Sequence, residues 1–534
     1  MSLPARVDML VVGAGPTGLM LAVQLARRSV RVLIVDGNPG PSVATKALGV
    51  QARTVEIYAR LGIAARALEA GTRASGANLW VEGRRAGRVP LGDIGRDLSP
   101  YPFVLILGQD DNERLLGEAL RDEGVEVHWN TELVALVQSP GETSVTLKRP
   151  DGSLQAITAG WVAGCDGAHS AVRRLTGIGF PGAPYEHVFF VADTRAQGPM
   201  VPGELNVYLW RDGFHLFFPL RGEQHWRVVG ILPRELRARE DLRFDNVVAS
   251  IRREAGSALA FTACNWFSTY RIHHRRAERF RQGRAFLLGD AAHIHSPVGA
   301  QGMNTGLQDA YNLAWKLALV TQERALDGLL GSYEAERVPI AERLLRTTDR
   351  AFSLIVSDRW FGSVFRTRAL AKLLGFAMGR EALRRLAFRT ISQIGIHYRA
   401  SPLSESLSDL PEGAPRAGER FPWLRLAFTS GAPVEDLFER LDDTRFNLIV
   451  VGQAVPPAIA ERSGLGELLL VHSVPDQPVN ARELARARIP RTSFFLLRPD
   501  GHVGLAGTRL DSAGLARYLA ERLKFRTRPA TLRR

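Results

Sequence analysis

Residues 284–318, RAFLLGDAAHIHSPVGAQGMNTGLQDAYNLAWKLA, set the frame for the rest of the chain. Ala285 to Leu288 has the composition of a short buried strand. A loop punctuated by Gly289, Pro297, Gly299, Gly302 and Gly306 follows. A long amphipathic helix then presents Met303, Leu307, Ala310, Ala314 and Leu317 on one face. Glycines just before a helix let main-chain N–H groups approach a ligand, and the helix N-terminus favours negative charge there. Asp290, at the strand's end, is placed to accept hydrogen bonds from a sugar or polyol. Taken alone, a generic strand–loop–helix joint with packing glycines explains these residues equally well.

Two other stretches shift the balance. Residues 7–36 read VDMLVVGAGPTGLMLAVQLARRSVRVLIVD. A strand, Met9–Val12, runs into Gly13-x-Gly15-x-x-Gly18, then a helix, then a strand, Val32–Val35, that ends at Asp36. The glycines permit a tight turn, close approach to a pyrophosphate and close packing of helix on strand. Asp36 lies 23 residues after Gly13, where a carboxylate can bind adenosine ribose hydroxyls. The spacing implies dinucleotide binding but does not separate FAD from NAD. Residues 160–182, GWVAGCDGAHSAVRRLTGIGFPG, bring an apolar strand to Cys165-Asp166-Gly167, and Ser170 opens a helix carrying Arg173 and Arg174. Cys165 reads as a small buried thiol. Asp166 and Gly167, at a strand's end, serve a nearby ligand or a helix cap.

At 534 residues the chain holds two to four domains, and 45% hydrophobic with 23% charged residues is typical of globular protein. Cys165 and Cys264 are the only cysteines, which excludes a disulfide framework or a cysteine metal cluster and is consistent with a reducing cytoplasm. Met9 to Ala26 carries no charge, but Gly13-Ala14-Gly15-Pro16 breaks it, so a strand and turn is expected rather than a membrane span. The net charge of +14 comes from 69 basic against 55 acidic residues, and the arginines fall in scattered short pairs. That scatter argues against nucleic-acid binding and for a solvated surface with some attraction for anionic ligands.

Along the chain, Lys46 and Arg53 are cations near the dinucleotide end of the sheet, and surface charge explains Lys46 equally well. Residues 78–107 alternate enough to form strands, and Gln109-Asp110 opens a helix. From His187 to Pro233 the pattern has period two, with strands Leu205–Trp210, Phe214–Phe218 and Trp226–Ile231 forming a meander rich in Tyr, Trp and Phe. Such a sheet suits an apolar aromatic ligand, although a plain sheet core explains the same residues. Residues 320–400 read as helical, a Pro/Gly-rich linker runs from Leu410 to Gly418, and the remainder reads as a small α/β unit.

Together, GAGPTG (13–18), CDGAHSAVR (165–173) and LLGDAAHIHSPVGAQGMNTGLQDAYNLAWK (287–316) resemble the single-component FAD-dependent aromatic hydroxylases of the p-hydroxybenzoate hydroxylase-like fold. Order and spacing agree over about the first 400 residues. Residues 415–534 resemble the thioredoxin-like C-terminal domain of the phenol hydroxylase and aromatic polyketide hydroxylase branches, without a cysteine and hence without a redox role.

The fold class implied is α/β: a Rossmann-like FAD-binding domain (1–185 and 270–345), a substrate β-sheet domain (186–269, with strands inserted near 75–107), a helical segment and linker (346–410) and the C-terminal unit. The resemblance assigns Gly13, Gly15, Gly18 and Asp36, with Pro16, Thr17 and Gly37 beside them, to the FAD adenosine and pyrophosphate. Lys46, Arg53 and Gln109 join the cofactor set, and Asp166 serves both FAD and NAD(P)H. Gly289 and Asp290 take the ribityl or pyrophosphate region, and Pro297, Gly299, Gly302, Met303 and Asn304 face the isoalloxazine ring. Lys46 stands where an arginine is usual, and Leu48 where the phenol hydroxylase branch carries a catalytic acid. That puts phenol activation by such an acid in doubt.

The implied chemistry uses NAD(P)H and O2 to hydroxylate a phenolic or polycyclic aromatic substrate through a flavin C4a-hydroperoxide. A dehydrogenase or halogenase on the same fold, or a flavin-containing binding protein, is the alternative; the Trp-x-Trp-x-Ile-Pro signature of halogenases is absent. Candidates for polarising the substrate hydroxyl are Tyr208, His215, His225 and Tyr270, with His293 in the flavin loop. No metal, nucleic acid or membrane is expected, and a homodimer is left open.

Overall fold

In this computed structural model, residues 3–42, 47–210, 213–237, 239, 241–256, 258–295, 301–356, 380–407 and 410–526 are described. The organising sheet is parallel at its centre. β1 (Arg6–Val12) lies between β2 (Val32–Val35) and β3 (Leu154–Gly164), and β4 (Ala285–Leu287) pairs with β3 on its far side. Val12 stands opposite both Val35 and Gly164, and Gly164 opposite Leu287. β1, β2 and β4 are nearly continuous apolar runs, as strands covered on both faces must be. Because all four run the same way in register, the segments that leave them, at Gly13, Asp36, Cys165 and Leu288, emerge side by side on one edge. Ligands of open α/β sheets bind at that edge.

α1 (Pro16–Ala26) follows β1 with Pro16 in its first turn. α2 (Gly302–Thr321) packs across α1, and here the structure corrects the sequence reading. Periodicity predicts one apolar face, yet every residue from Asn304 to Leu319 is buried. The approach is close because small residues line it: a Cβ at Gly289 would stand 2.7 Å from Thr17 Oγ1, and one at Gly306 would overlap the same atom.

The polar residues of α2 find ionic partners instead of water. Arg337 Nε, on α3 (Gly331–Val356), donates to Asp309 at 2.6 Å, and His293 Nε2 is 2.8 Å from the same carboxylate. Lys316 Nζ donates to Glu336 at 2.8 Å, and Arg498 donates to both Glu336 oxygens at 2.6 and 3.0 Å.

Arg498 belongs to the C-terminal unit. Its strands are β5 (Phe446–Val451), β6 (Leu469–Val474), β7 (Ser493–Leu497) and β8 (Val503–Gly507). β5 and β6 are parallel, and β7 is antiparallel to both β5 and β8. Helices follow β5, β6 and β8. The unit is also anchored by Arg27 Nη1 on Asp443 (2.8 Å) just beyond α1 and by Trp315 of α2, which packs in its core. Removing it would strip the buried partners from the helix that carries the late motif.

The second sheet has eight strands in the order 293–294, 260–276, 182–197, 225–231, 213–219, 205–210, 76–81 and 84–90. Of its two longest strands, Gly182–Gln197 overlaps the expected period-two stretch from His187 onward, whereas Ala260–Arg276 lies wholly beyond it. Strands 76–81 and 84–90 join it as the sequence suggests, whereas Val104–Ile106 pairs in a small separate sheet with Gly49–Val50 and Thr72–Ala74. Helix Phe244–Ala255 covers one face through Trp80, Phe190, Tyr208, Phe217 and Val228. On the opposite face Val207, Leu216, Phe218 and Val229 remain only half-buried. Among the described residues no helix is long and apolar enough to cross a membrane.

Replacing one member of a buried charge cluster leaves the others without compensation, so Arg498→Met should destabilise the chain by about 3–5 kcal/mol in denaturant unfolding. Burial alone would raise the Glu336 carboxyl, but Arg498 and Lys316 hold it well below its ordinary 4.5. A group depressed in the folded state contributes stability above its unfolded value and loses it as pH falls through the folded one. The unfolding midpoint should therefore hold from neutrality to about pH 5 and fall below that, as a thermal melt series will show.

Candidate cofactor and substrate site

The site begins at the strand ends. Gly13 has φ +100°, and a Cβ there would overlap the Cys165 carbonyl, so the turn admits no side chain. Gly18 is pressed against the Gly13 carbonyl in the same way, while a Cβ at Gly15 would meet nothing within 4 Å. Gly15 is also the N-cap of α1, and no side chain caps that helix. Its first N–H groups therefore face open space, the arrangement that suits a pyrophosphate.

Asp36 braces this turn. Its Oδ2 accepts from Ala14 N at 2.7 Å, and its Oδ1 accepts from the backbone and side-chain nitrogens of Asn38, both at 2.8 Å. Gly37 packs against the Glu132 side chain, and Thr17 turns its hydroxyl into the gap between Gly289 and Gly306.

Asp166 Oδ2 caps the helix Ala171–Leu175, accepting from Ala171 N (2.6 Å) and Val172 N (3.2 Å). Its Oδ1 is buried with no hydrogen-bond partner among the described residues, and burial raises the carboxyl. A buried acceptor without a donor is an expensive arrangement unless a ligand supplies the donor. Gly289 takes φ +58° and donates to Asp309 at 3.1 Å, leaving Asp290 exposed on the following turn. Gln109 opens the helix Gln109–Asp122, donating from Nε2 to Glu113 at 2.8 Å; Glu113 in turn accepts from Ser42 N at 2.9 Å.

Gly302 begins α2, whose N-cap residue Gln301 makes no side-chain capping hydrogen bond, so among the described residues this N-terminus too is uncapped. Met303 Sδ accepts from Asn112 at 3.1 Å. Asn304 is committed elsewhere: its amide bonds Gln51 N (2.9 Å), Thr54 Oγ1 (2.7 Å) and Gly49 O (2.8 Å), locking residues 49–54 onto α2. Lys46, Pro297 and Gly299 lie outside the described residues.

Arg53 requires a correction. Its guanidinium is buried against Glu56 (3.1 Å) and the Asp500 carbonyl (2.6 Å), so it clamps the C-terminal unit instead of facing the cofactor edge. Asp309, which sequence reading passed over, ties the late motif together by holding Gly289 N–H, His293 and Arg337 at once. Burial alone would raise its carboxyl, but Arg337 and His293 pull it below the ordinary range. The available signal was a single acid in a long helical stretch whose one other charge is Lys316.

The candidates for substrate activation separate by face. Tyr208 and His215 stand opposite each other on adjacent strands, on the face covered by helix Phe244–Ala255. Tyr208 stacks on Trp80 and His215 lies against Phe190 and Trp210, so both are core residues. Burial keeps His215 neutral, lowering its pKa to about 3. His225 sits on Asp193 (2.6 Å) near the end of its strand. Tyr270 packs on Phe189 on the half-buried face, where burial raises its hydroxyl to about 12.

The open Gly15 turn, the orphaned Asp166 oxygen and the uncapped α2 terminus on one edge fit an extended cofactor with an anionic middle and a ring that gains negative charge. Residues 6–348 match the family described as FAD binding domain. A 6-methylpretetramide 4-monooxygenase of Streptomyces rimosus is 31% identical over 527 residues, covering 96% of this chain and 93% of that protein. The solved anhydrotetracycline hydroxylase from Streptomyces rimosus superposes with TM-score 0.79 at 29% identity, covering 97% of this chain and 99% of that one. A ternary complex of aklavinone-11 hydroxylase with FAD and aklavinone gives TM-score 0.80 at 26% identity, covering 98% and 100%.

Gly15→Val should keep the circular dichroism of the unaltered chain and bind FAD at least about tenfold more weakly, because the added carbons occupy the phosphate approach. Asp290→Ala should purify largely colourless; full flavin absorbance in that variant would remove Asp290 from the cofactor set.

Proposed function

This chain belongs to the FAD binding domain family, and from that premise we propose that it uses NAD(P)H and O2 to hydroxylate a phenolic or polycyclic aromatic compound. It is an FAD-dependent monooxygenase of aromatic compounds, as its relatives are. The observation that carries the reading is the parallel register that brings Gly13, Asp36, Asp166 and Asp290 to one edge.

Bound FAD would supply reduction by NAD(P)H and activation of dioxygen; the protein supplies placement, charge and dryness. The first-turn N–H groups of α1 and the Asp166 Oδ1 acceptor would hold the phosphate and sugar portion. The uncapped N-terminus of α2 favours negative charge on a ring placed before it. Val207, Leu216, Phe218 and Val229 offer an apolar wall for an aromatic substrate and exclude water from it. Tyr270 borders that wall; His225 shares the face by alternation with Val229, but it is taken up by Asp193. The division of the chain into a discontinuous FAD-binding part, a substrate sheet and a C-terminal unit is part of the same reading. The strand–helix–strand–helix–strand–strand–helix order of the last supports calling it thioredoxin-like.

Purified protein should oxidise NADPH or NADH faster when phenols or polycyclic aromatics are added, and mass spectrometry with 18O2 should find one labelled oxygen in the product. Stimulated oxidation with no oxygen incorporated from any aromatic would contradict the reading.

A further inference from the structure

The buried core of α2 leaves its first turn at the inner end of a long groove. Gln301 and Thr305 lie there; α3, the helix Glu381–Ile391 and the C-terminal unit form the walls, enclosing about 900 Å3. That volume is in the range of small-molecule sites. Eight arginines and two carboxylates line the groove.

Four of the arginines are neutralised: Arg385 by Glu381, Arg399 by Glu419, Arg420 by Glu56 and Arg486 by Glu483. The other four, Arg343, Arg389, Arg416 and Arg488, have no carboxylate within ion-pair distance among the described residues. Of the two lining carboxylates, Glu419 is occupied by Arg399 and by the Arg416 backbone N–H (3.0 Å), while Arg486 donates to the Asp97 backbone carbonyl. The cations also crowd one another: beyond burial, Arg385, Arg420 and Arg488 hold the Arg389 guanidinium below its ordinary value.

A cleft lined by one sign of charge concentrates ligands of the other, and guanidinium forks match carboxylate and phosphate groups bidentately.

We propose that this groove holds the anionic end, a carboxylate or phosphate group, of the aromatic substrate whose ring lies toward Gln301. The proposal rests on the monooxygenase reading and narrows it to acidic aromatics. NAD(P)H also brings phosphates, but the inner lining favours a ring: Ile340, Leu344 and Ile394 are apolar and buried. Ile394 and Phe388 further share a cluster with Phe218 and Leu205 of the substrate sheet.

The test uses the FAD-loaded full chain titrated with anthraquinone-2-carboxylate and with anthraquinone-2-carboxamide, reading perturbation of the flavin absorbance. The acid should bind about tenfold or more tightly than the amide at low salt. That ratio should collapse toward one in Arg343→Gln and Arg389→Gln and persist in Arg389→Lys, with flavin content reporting that each variant is folded. Equal affinity in the unaltered enzyme, or a ratio that survives both glutamine variants, overturns the proposal. A rise in KM for NADPH in those variants, with the ratio unmoved, overturns it in favour of the reductant. If neither probe perturbs the flavin and no aromatic stimulates NAD(P)H oxidation, the monooxygenase reading itself fails, which is a different result from equal binding.

Discussion

Asp309 and Lys316 are fully buried charges on one helix, and the rest of the fold is arranged to pair them. Burial of an unpaired charge costs several kcal/mol, so α2 is stable in its place only where Arg337, His293, Glu336 and Arg498 surround it. Those partners come from the turn after β4, from α3 and from the C-terminal unit. Three distant parts of the chain are thereby fixed relative to one helix. The same helix meets α1 across Gly306, Gly289 and Thr17, where an added methyl group would not fit.

The site inherits this rigidity. Because Asp309 also accepts from Gly289 N–H, the turn that presents Asp290 is tied to the helix whose first turn is proposed to face the flavin ring. Asn304 adds a second tie, holding residues 49–54 through backbone groups that a mobile loop would leave to water. Placement of a cofactor between strand ends and an uncapped helix terminus needs such fixed surroundings, since catalytic charge stabilisation depends on dipoles already oriented. In the proposed reading, Val207, Leu216, Phe218 and Val229 of the second sheet wall the substrate with side chains that need no partner.

The cofactor edge was legible in the sequence because its signals are local. GAGPTG, CDG and LLGD each place a glycine or an acid at the end of an apolar strand, and four parallel strands must deliver such ends together. What the sequence did not disclose depends on contacts far apart in the chain. Arg53 looks like a cofactor ligand until Asp500 is seen beneath it. The alternation that put Tyr208 and His215 among aromatic residues fixes which residues share a face but not which face a helix covers. The strand Ala260–Arg276 was missed because polar residues such as Asn265, Ser268 and Arg271 interrupt its alternation. The polar residues of α2 read as a solvated face, since pattern alone does not distinguish a solvated charge from one buried against an opposite charge.

Convergence of the three motifs around one cofactor is tested most directly by stoichiometry. Titration of flavin-free chain with FAD, followed by calorimetry, should give one saturable site per polypeptide, and riboflavin, which lacks the phosphates and adenosine, should not compete at equal concentration. No heat of binding from folded chain, or equal affinity for riboflavin, would contradict an extended dinucleotide held along the strand ends.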